Sequence, residues 1–393
     1  MAHPYRCSQS RDYDPTFFLP TERFTVQVVN HHELRRTRNL ALRQARNAIS
    51  RTPACVASGE DLSSKSPTLE GEAGALVSMS PSSPLCRRSG RAFVALSGER
   101  PDESVLRSAQ GVGLIRSEYI VRASGAYWTL AKCRRRVSDY LSCVLDRTFG
   151  REVWYRLSDL EARDVNVLDG CDVVHNDDNP ILGPRGLRRT RLTTTGFDYE
   201  LQTFIAISAL HPELGLLLPF CRDAEHVAFG IDRARAAGHL GPIGVMVEVP
   251  SAVQQVQEIM SLGVDYCLIG LNDLTSLVLG TARTAPDFDR SHPAVMELVR
   301  RVHEHGVVAN VPVRIAGNYD VRVVEALPEL AASSFVVHYA DWADLVDPEL
   351  SDYRDKTLML ELRRESDARL VAAGLMNESD MVVAAGIAIK GRA

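Results

Sequence analysis

Lysine is almost missing from this chain. Of 45 basic residues only Lys65, Lys132, Lys356 and Lys390 are lysines, a bias that reads as that of a GC-rich genome and not of a function. No excess of positive charge accompanies the arginines. The formal net charge is -5, which argues against nucleic acid or an acidic membrane as partner. The eight cysteines contain no Cys-x-x-Cys pair, and several fall in apolar helix or strand patterns, as expected of reduced thiols in a cytoplasmic protein. No apolar run approaches the ~20 residues of a membrane span. Met1 to Phe18 is polar and lacks the apolar core of a signal peptide.

What remains is the composition of a soluble globular protein, 45% apolar and 24% charged over 393 residues, enough for one large domain and an appendage. Residues 1–90 form an N-terminal extension. Phe24–Val29 reads as a strand, His32–Ser50 has roughly helical spacing, and 57–91 is a Ser-, Pro- and Gly-rich linker. His31 and His32 would point apart on a strand, which favours a surface role over metal binding.

From Arg91 strands and helices alternate. Strands are expected at Ala92–Leu96, Gly111–Ile115, Val153–Leu157, Leu214–Pro219, Ile243–Val249, Tyr266–Gly270, Val307–Val311 and Ser334–His338. Helices are expected at Glu103–Gln110, Tyr127–Phe149, Asp198–Leu210, Ala224–Ala237, Ala252–Leu262, Pro293–His305 and Val321–Ala332. Eight such units over residues 91–348 predict an α/β fold, a closed (β/α)8 TIM barrel. No Gly-x-Gly-x-x-Gly turn follows the first strand, which disfavours the competing open doubly wound sheet. Residues 349–393 are then a C-terminal helical tail, with Leu358, Leu360, Leu362 and Leu370 at helical spacing and an apolar stretch at Met381–Ile389. It is expected to pack on the barrel or to serve a homodimer interface.

In a barrel of this kind the strand C-termini meet at one mouth. There the expected strands deliver Arg116, Arg156, Glu248, Asn272, Asp273 and His338, and Arg185 sits in a nearby loop. Two carboxylates make a hard oxygen site of the kind Mg²⁺ or Mn²⁺ takes. Asp273 alone reads better as a helix cap. Both acids together, with arginines that can grip phosphate or carboxylate oxygens, read as a metal site for a small anion.

Four segments carry a resemblance. Gly111-Val-Gly-Leu-Ile-Arg-Ser-Glu118, Asn179-Pro-Ile-Leu-Gly-Pro-Arg-Gly186, Gly244-Val-Met-Val-Glu-Val-Pro-Ser251 and Ile269-Gly-Leu-Asn-Asp-Leu-Thr275 resemble, in order, motifs of the phosphoenolpyruvate (PEP)-utilising enzymes. Those are PEP synthase, pyruvate phosphate dikinase and the first enzyme of the sugar phosphotransferase system. The resemblance runs from about Ala92 to Leu345. It implies that Arg116, Arg156 and Arg185 hold substrate oxygens, that Glu248 and Asp273 bind Mg²⁺, and that Asn272 hydrogen-bonds a PEP- or pyruvate-like substrate.

The departures are as informative. The family's seventh strand ends in Gly-x-Cys-Gly-Gln/Glu, whose Cys handles the proton at the methylene carbon. On the expected Val307–Val311 strand Val311 stands at the Cys position, and valine has no proton to give. The family's phosphohistidine segment, Gly-Gly-x-Thr-Ser-His-Ala, is absent from residues 1–90. A separate phosphoryl donor or acceptor protein is therefore an expected partner. His338 is a candidate replacement acid/base, with a structural histidine beside Tyr339 as the alternative, and Asn310 and Arg314 could also reach the mouth. Three functions fit these residues: a repurposed PEP-utilising phosphotransferase, a carbon–carbon lyase acting through pyruvate enolate, and a non-catalytic PEP-binding regulator.

Overall fold

The computed structural model describes residues 83–99, 103–171 and 181–353, with residue 179 and a few positions between 368 and 374. The expected strand at Phe24–Val29, the Arg-rich helical stretch after it, the two adjacent histidines, most of the linker and nearly all of the C-terminal tail lie outside the described residues.

Eight strands close in sequence order into a barrel, and every neighbouring pair is parallel. They are β1 (Phe93–Leu96), β2 (Val112–Arg116), β3 (Val153–Arg156), β4 (Leu214–Cys221), β5 (Ile243–Val247), β6 (Tyr266–Gly270), β7 (Val313–Ala316) and β8 (Phe335–His338). The (β/α)8 expectation holds. Apart from Arg116 at the end of β2, all strand positions are buried, because helices cover one face and the opposite face fills the barrel.

Strand side chains alternate, so each strand divides into two sets. One set, including Val94, Leu96, Tyr155, Val245, Ile269, Ile315 and Val337, packs under the helices. The other set, Phe93, Ala95, Leu114, Trp154, Leu217, Met246, Tyr266, Leu268, Ala316 and Val336, is the plug inside the barrel. Trp154 and Tyr266 stack there with centroids 4.5 Å apart.

The helices form where apolar residues recur on one face. Ala131–Thr148 buries Cys133, Val137, Leu141, Val144, Leu145 and Thr148, then stops at Phe149 and Gly150, both at positive φ. Asp223 caps Ala224–Ala236 by accepting the His226 N–H at 2.7 Å. The stretch expected as one helix from Ala252 is two short ones, Pro250–Gln254 and Val256–Ser261, broken at Gln255. The helix expected over Val321–Ala332 ends at Glu325.

The seventh strand is the main correction. Val307 and Val308 are not strand: they close the helix Pro293–Ala309 and are 69% and 86% exposed. Asn310 follows at φ 53°, and its N–H and that of Val311 return to carbonyls of the last turn, a left-handed helix stop. The strand begins six residues later than expected, at Val313, and a buried arginine within it disguised it. Arg314 points into the barrel but toward its N-terminal end, where it donates to Glu152 at 2.7 and 3.0 Å and lies over the rings of Phe93 and Tyr266. Neither Asn310 nor Arg314 reaches the mouth. Both line a hollow of about 520 Å³ at the opposite end.

Candidate active site at the barrel mouth

The pleat defines the mouth. Two residues beyond the last plug residue of a strand, a side chain again points inward, now above the plug. Counting from Ala95, Leu114, Trp154, Leu217, Met246, Leu268 and Val336 gives Ser97, Arg116, Arg156, Pro219, Glu248, Gly270 and His338. Four of the expected residues, Arg116, Arg156, Glu248 and His338, thus share one ring. Asn272 and Asp273 stand just outside it, in the first turn of the helix Leu271–Leu279.

Glu248 is 2% exposed, and the Phe220 N–H donates to its Oε1 at 2.9 Å. Phe220 makes that bond from φ 45°, a strained conformation for a bulky residue. It sits where β4 breaks register against β5. Gly270 gives Glu248 its room: a Cβ there would fall 2.2 Å from Oε2 and 2.7 Å from the Glu248 Cβ. Burial pushes the Glu248 carboxyl up to about 8, and the like charge of Asp273 pushes the same way.

Asp273 is 4% exposed. Arg283 pairs with its Oδ1, and Arg185 Nη2 lies 3.6 Å from its Oδ2. Neither acid caps a helix: Gly270 and Val249 hold the cap positions of the helices that follow, and neither makes a side-chain cap bond. Two buried hard carboxylates, beside a cradle only glycine leaves open, fit a small divalent cation. Among the described residues no cluster of three or more His, Cys, Asp or Glu forms a complete cage. Mg²⁺ characteristically takes one or two carboxylates and fills its other positions with substrate oxygens and water.

The arginines are held by buried acids. Asp159 takes Arg185 bidentately, at 3.0 and 2.5 Å, and Phe220 lies under that guanidinium at 4.5 Å. Arg156 Nη2 donates to Glu118, and its Nη1 is 4.0 Å from Asp159. Burial alone would lower both arginines, but the facing carboxylates raise them, so both stay charged. Arg185 in turn holds the Asp159 carboxyl below its usual range against the opposing effect of burial. Asn272 accepts from Arg290 Nε at 2.6 Å.

Behind the β2–β3 side of this ring lies Glu200, 3% exposed, on the helix Thr194–Ser208. Its Oε1 accepts from the Ser158 N–H and hydroxyl at 2.8 Å each and from the Tyr155 hydroxyl at 2.9 Å, and lies 3.5 Å from the Ser117 hydroxyl. One carboxyl thus ties together the ends of β2 and β3 that carry Arg116 and Arg156. On the β1–β8 side, His338 Nε2 is 3.3 Å from Ser97 Oγ and 3.6 Å from Glu99 Oε1, while Arg116 Nε donates to Ser97 Oγ at 2.7 Å.

Sequence reasoning missed Ser97, Glu99, Glu118, Asp159, Glu200, Arg283 and Arg290. Glu118 and Ser97 could have been found by carrying the strand alternation past the strand ends. The others enter from loops and helices with no periodicity to mark them. The β7 register also moves the family's Cys position: the strand ends Ile315-Ala316-Gly317-Asn318, so Ala316, in the plug, stands there and not Val311. Gly317 keeps the family glycine, and Asn318 replaces the Gln/Glu. Alanine, like valine, carries no transferable proton.

A family model described as the PEP-binding domain of PEP-utilising enzymes matches residues 98–340. A probable PEP synthase of Pyrococcus abyssi is 28% identical over 227 residues, covering 52% of this chain and 27% of that protein. One from Archaeoglobus fulgidus is 30% identical over 249 residues, covering 58% and 32%. The chain thus spans a third or less of the length of these relatives. Among solved structures, a HpcH/HpaI aldolase/citrate lyase family protein from Burkholderia cenocepacia aligns with a TM-score of 0.40 and 16% identity, over 65% of this chain and 91% of the other. Among the described residues no helix is long and apolar enough to cross a membrane.

Proposed function

We infer the function from a membership that is settled: the chain belongs to the PEP-utilising enzyme family and carries its PEP-binding barrel. We propose that the mouth binds PEP, pyruvate or a similar small anion together with Mg²⁺ or Mn²⁺, and performs phosphoryl transfer through an enolpyruvate oxygen. The observation that carries this reading is the ring itself, which sets Arg116, Arg156 and Glu248 at one level with Asp273 beside them.

In this reading Glu248 and Asp273 hold the cation, which when bound supplies a Lewis acid for the enolate oxygen. Arg116 and Arg156 grip the carboxylate and phosphate oxygens from the β2–β3 side, Arg156 kept charged by Glu118 and Asp159. Arg185, locked on Asp159, keeps Asp273 aimed and adds positive potential. Asn272 orients the substrate by a hydrogen bond. His338 closes the ring at β8. The phosphoryl group passes to or from a separate donor or acceptor.

A second reading, carbon–carbon bond formation or cleavage through pyruvate enolate, is favoured by one observation. Ala316 stands where the family's proton-handling Cys should be, and an enolate that meets a carbon electrophile needs no proton there.

Calorimetry tests the metal site. Glu248→Gln and Asp273→Asn should each abolish Mg²⁺ binding in a protein that still melts cooperatively, and unchanged affinity in both refutes the assignment. Phosphorus and proton NMR of PEP, pyruvate and oxaloacetate with Mg²⁺ and candidate acceptors separates the chemistries. Phosphoryl transfer supports the first reading, a changed carbon skeleton the second, and binding without turnover counts against both.

A further inference from the structure

The ring has a side that this reading leaves unused. Ser97 and His338 are neighbours across the β1–β8 seam, where Ala95 pairs with His338. Glu99 reaches the same spot from the loop after β1. It is 5% exposed, and its Oε2 accepts the Ser97 N–H at 2.6 Å. Its Oε1 is buried with no hydrogen-bond partner, and His338 Nε2 lies 3.6 Å from it. A buried carboxyl oxygen left without a donor is costly unless it serves something.

The tautomer of His338 follows from its other nitrogen. Nδ1 accepts the Ala340 N–H at 3.3 Å, so in the neutral ring the proton sits on Nε2. Nε2 therefore donates into the space shared with Glu99 Oε1 and Ser97 Oγ. An imidazole held this way is a fixed donor and a poor base. The group beside it that can gain and lose a proton is Glu99. Burial pushes its carboxyl up to about 7, with Arg116 opposing. The place is also right: β8 is the neighbour of β7, and Val336, two residues before His338, pairs with Ala316 at the vacated Cys position.

We propose that Glu99 is the proton-carrying group of this enzyme, with His338 Nε2–H and Arg116 holding its charge, so that proton transfer has moved from β7 to the β8–β1 seam. The inference rests on the enolpyruvate reading above. In the step, neutral Glu99 gives its O–H proton to the methylene carbon of the bound enolate. The O–H bond breaks and a C–H bond forms from the enolate π pair. The enolate oxygen becomes the pyruvate carbonyl, and the negative charge passes to the Glu99 carboxylate. Water returns the proton. In reverse the carboxylate removes a methyl proton from pyruvate.

The test uses the full chain with Mg²⁺ in D2O, following loss of the pyruvate methyl proton signal by NMR. Oxalate, a planar dianion shaped like the enolate, serves as the binding probe by calorimetry. Wild type should bind oxalate and exchange the methyl hydrogens. Glu99→Gln keeps an acceptor for the Ser97 N–H and should lose exchange by about 100-fold or more while oxalate affinity stays within about threefold. His338→Gln, which removes the imidazole donor but no titrating carboxyl, should slow exchange less than Glu99→Gln does. Exchange by Glu99→Gln at the wild-type rate overturns the proposal, as does a wild type that binds oxalate without exchanging pyruvate. A wild type that binds neither anion with Mg²⁺ defeats the enolpyruvate reading itself, a failure the binding arm shows separately.

Discussion

Glu200 is the buttress behind the arginine side of the mouth, and its charge state should govern stability across the acid-to-neutral range. Burial pushes its carboxyl from the ordinary 4.5 up to about 7, against hydrogen bonds from Ser158 and Tyr155 that favour the anion. The folded protein therefore holds this proton more tightly than the unfolded chain does. Stability from the group is fully present below pH 4.5 and is lost as the pH rises through about 7. The interval corresponds to about 3 kcal/mol. Glu200→Gln removes the titration and leaves a neutral group of the same shape beside the same donors. At pH 5, where native Glu200 is already protonated, variant and wild type should be nearly equal in stability. At pH 8 the variant should be more stable by up to about 3 kcal/mol, a melting temperature higher by roughly 5–10 °C for a domain of this size. Thermal or urea melts of both proteins at the two pH values give the double difference, in which the shared contributions of Glu99 and Glu248 cancel. The same gap at pH 5 and pH 8 would refute the reasoning, because it would mean that Glu200 titrates alike in the folded and unfolded chain.

Two further substitutions probe the ring. Gly270→Ala is compatible with the backbone, whose φ is -86°, so its whole cost is the collision with Glu248; overpacking of this kind costs about 1–3 kcal/mol, read as a lower melting temperature, and calorimetry should show weakened Mg²⁺ binding because Glu248 must move. Arg156→Met leaves Glu118 buried as an unpaired charge and should destabilise by about 3–5 kcal/mol, whereas adding Glu118→Gln to it should recover most of the loss, a coupling that denaturation of the two singles and the double measures directly.

How much of this was legible in the sequence follows from what each feature depends on. The strands at Val153, Tyr266 and Phe335 were readable because a buried parallel strand needs little but a short apolar run between turns. The seventh was misplaced because Val307-Val308-Ala309 is β-branched and apolar yet lies exposed at a helix end, while the true strand hides a charge. Arg314 is tolerable there only because Glu152 and two aromatic rings meet it, and none of these is near it in sequence. Glu248, Asp273, Arg116 and Arg185 stand out through motif spacing, and Arg156 through its place at a strand end. The acids that fix those arginines were not, since an Arg–carboxylate pair formed across 26 or 38 residues leaves no local pattern.

In the reading proposed above, the barrel keeps the side of its mouth that handles charge and carries its protons at a different seam. Glu118, Asp159, Asp273 and the arginines form a network in which each buried acid faces a guanidinium, and loss of one member leaves its partner's charge buried and unpaired. Such a network resists piecemeal change. The β7 position has no such ties: Ala316 is a small apolar member of the plug, so a cysteine there can be lost at the cost of its chemistry alone. At the seam between β8 and β1 the same mouth holds a buried glutamate with one oxygen unbonded, between a fixed imidazole donor and an arginine. An ornamental residue there would be disfavoured, because burying that carboxyl already raises it toward neutrality. A glutamate held at that point, against the end of the strand that neighbours the vacancy, is more economically explained as the replacement than as a survivor.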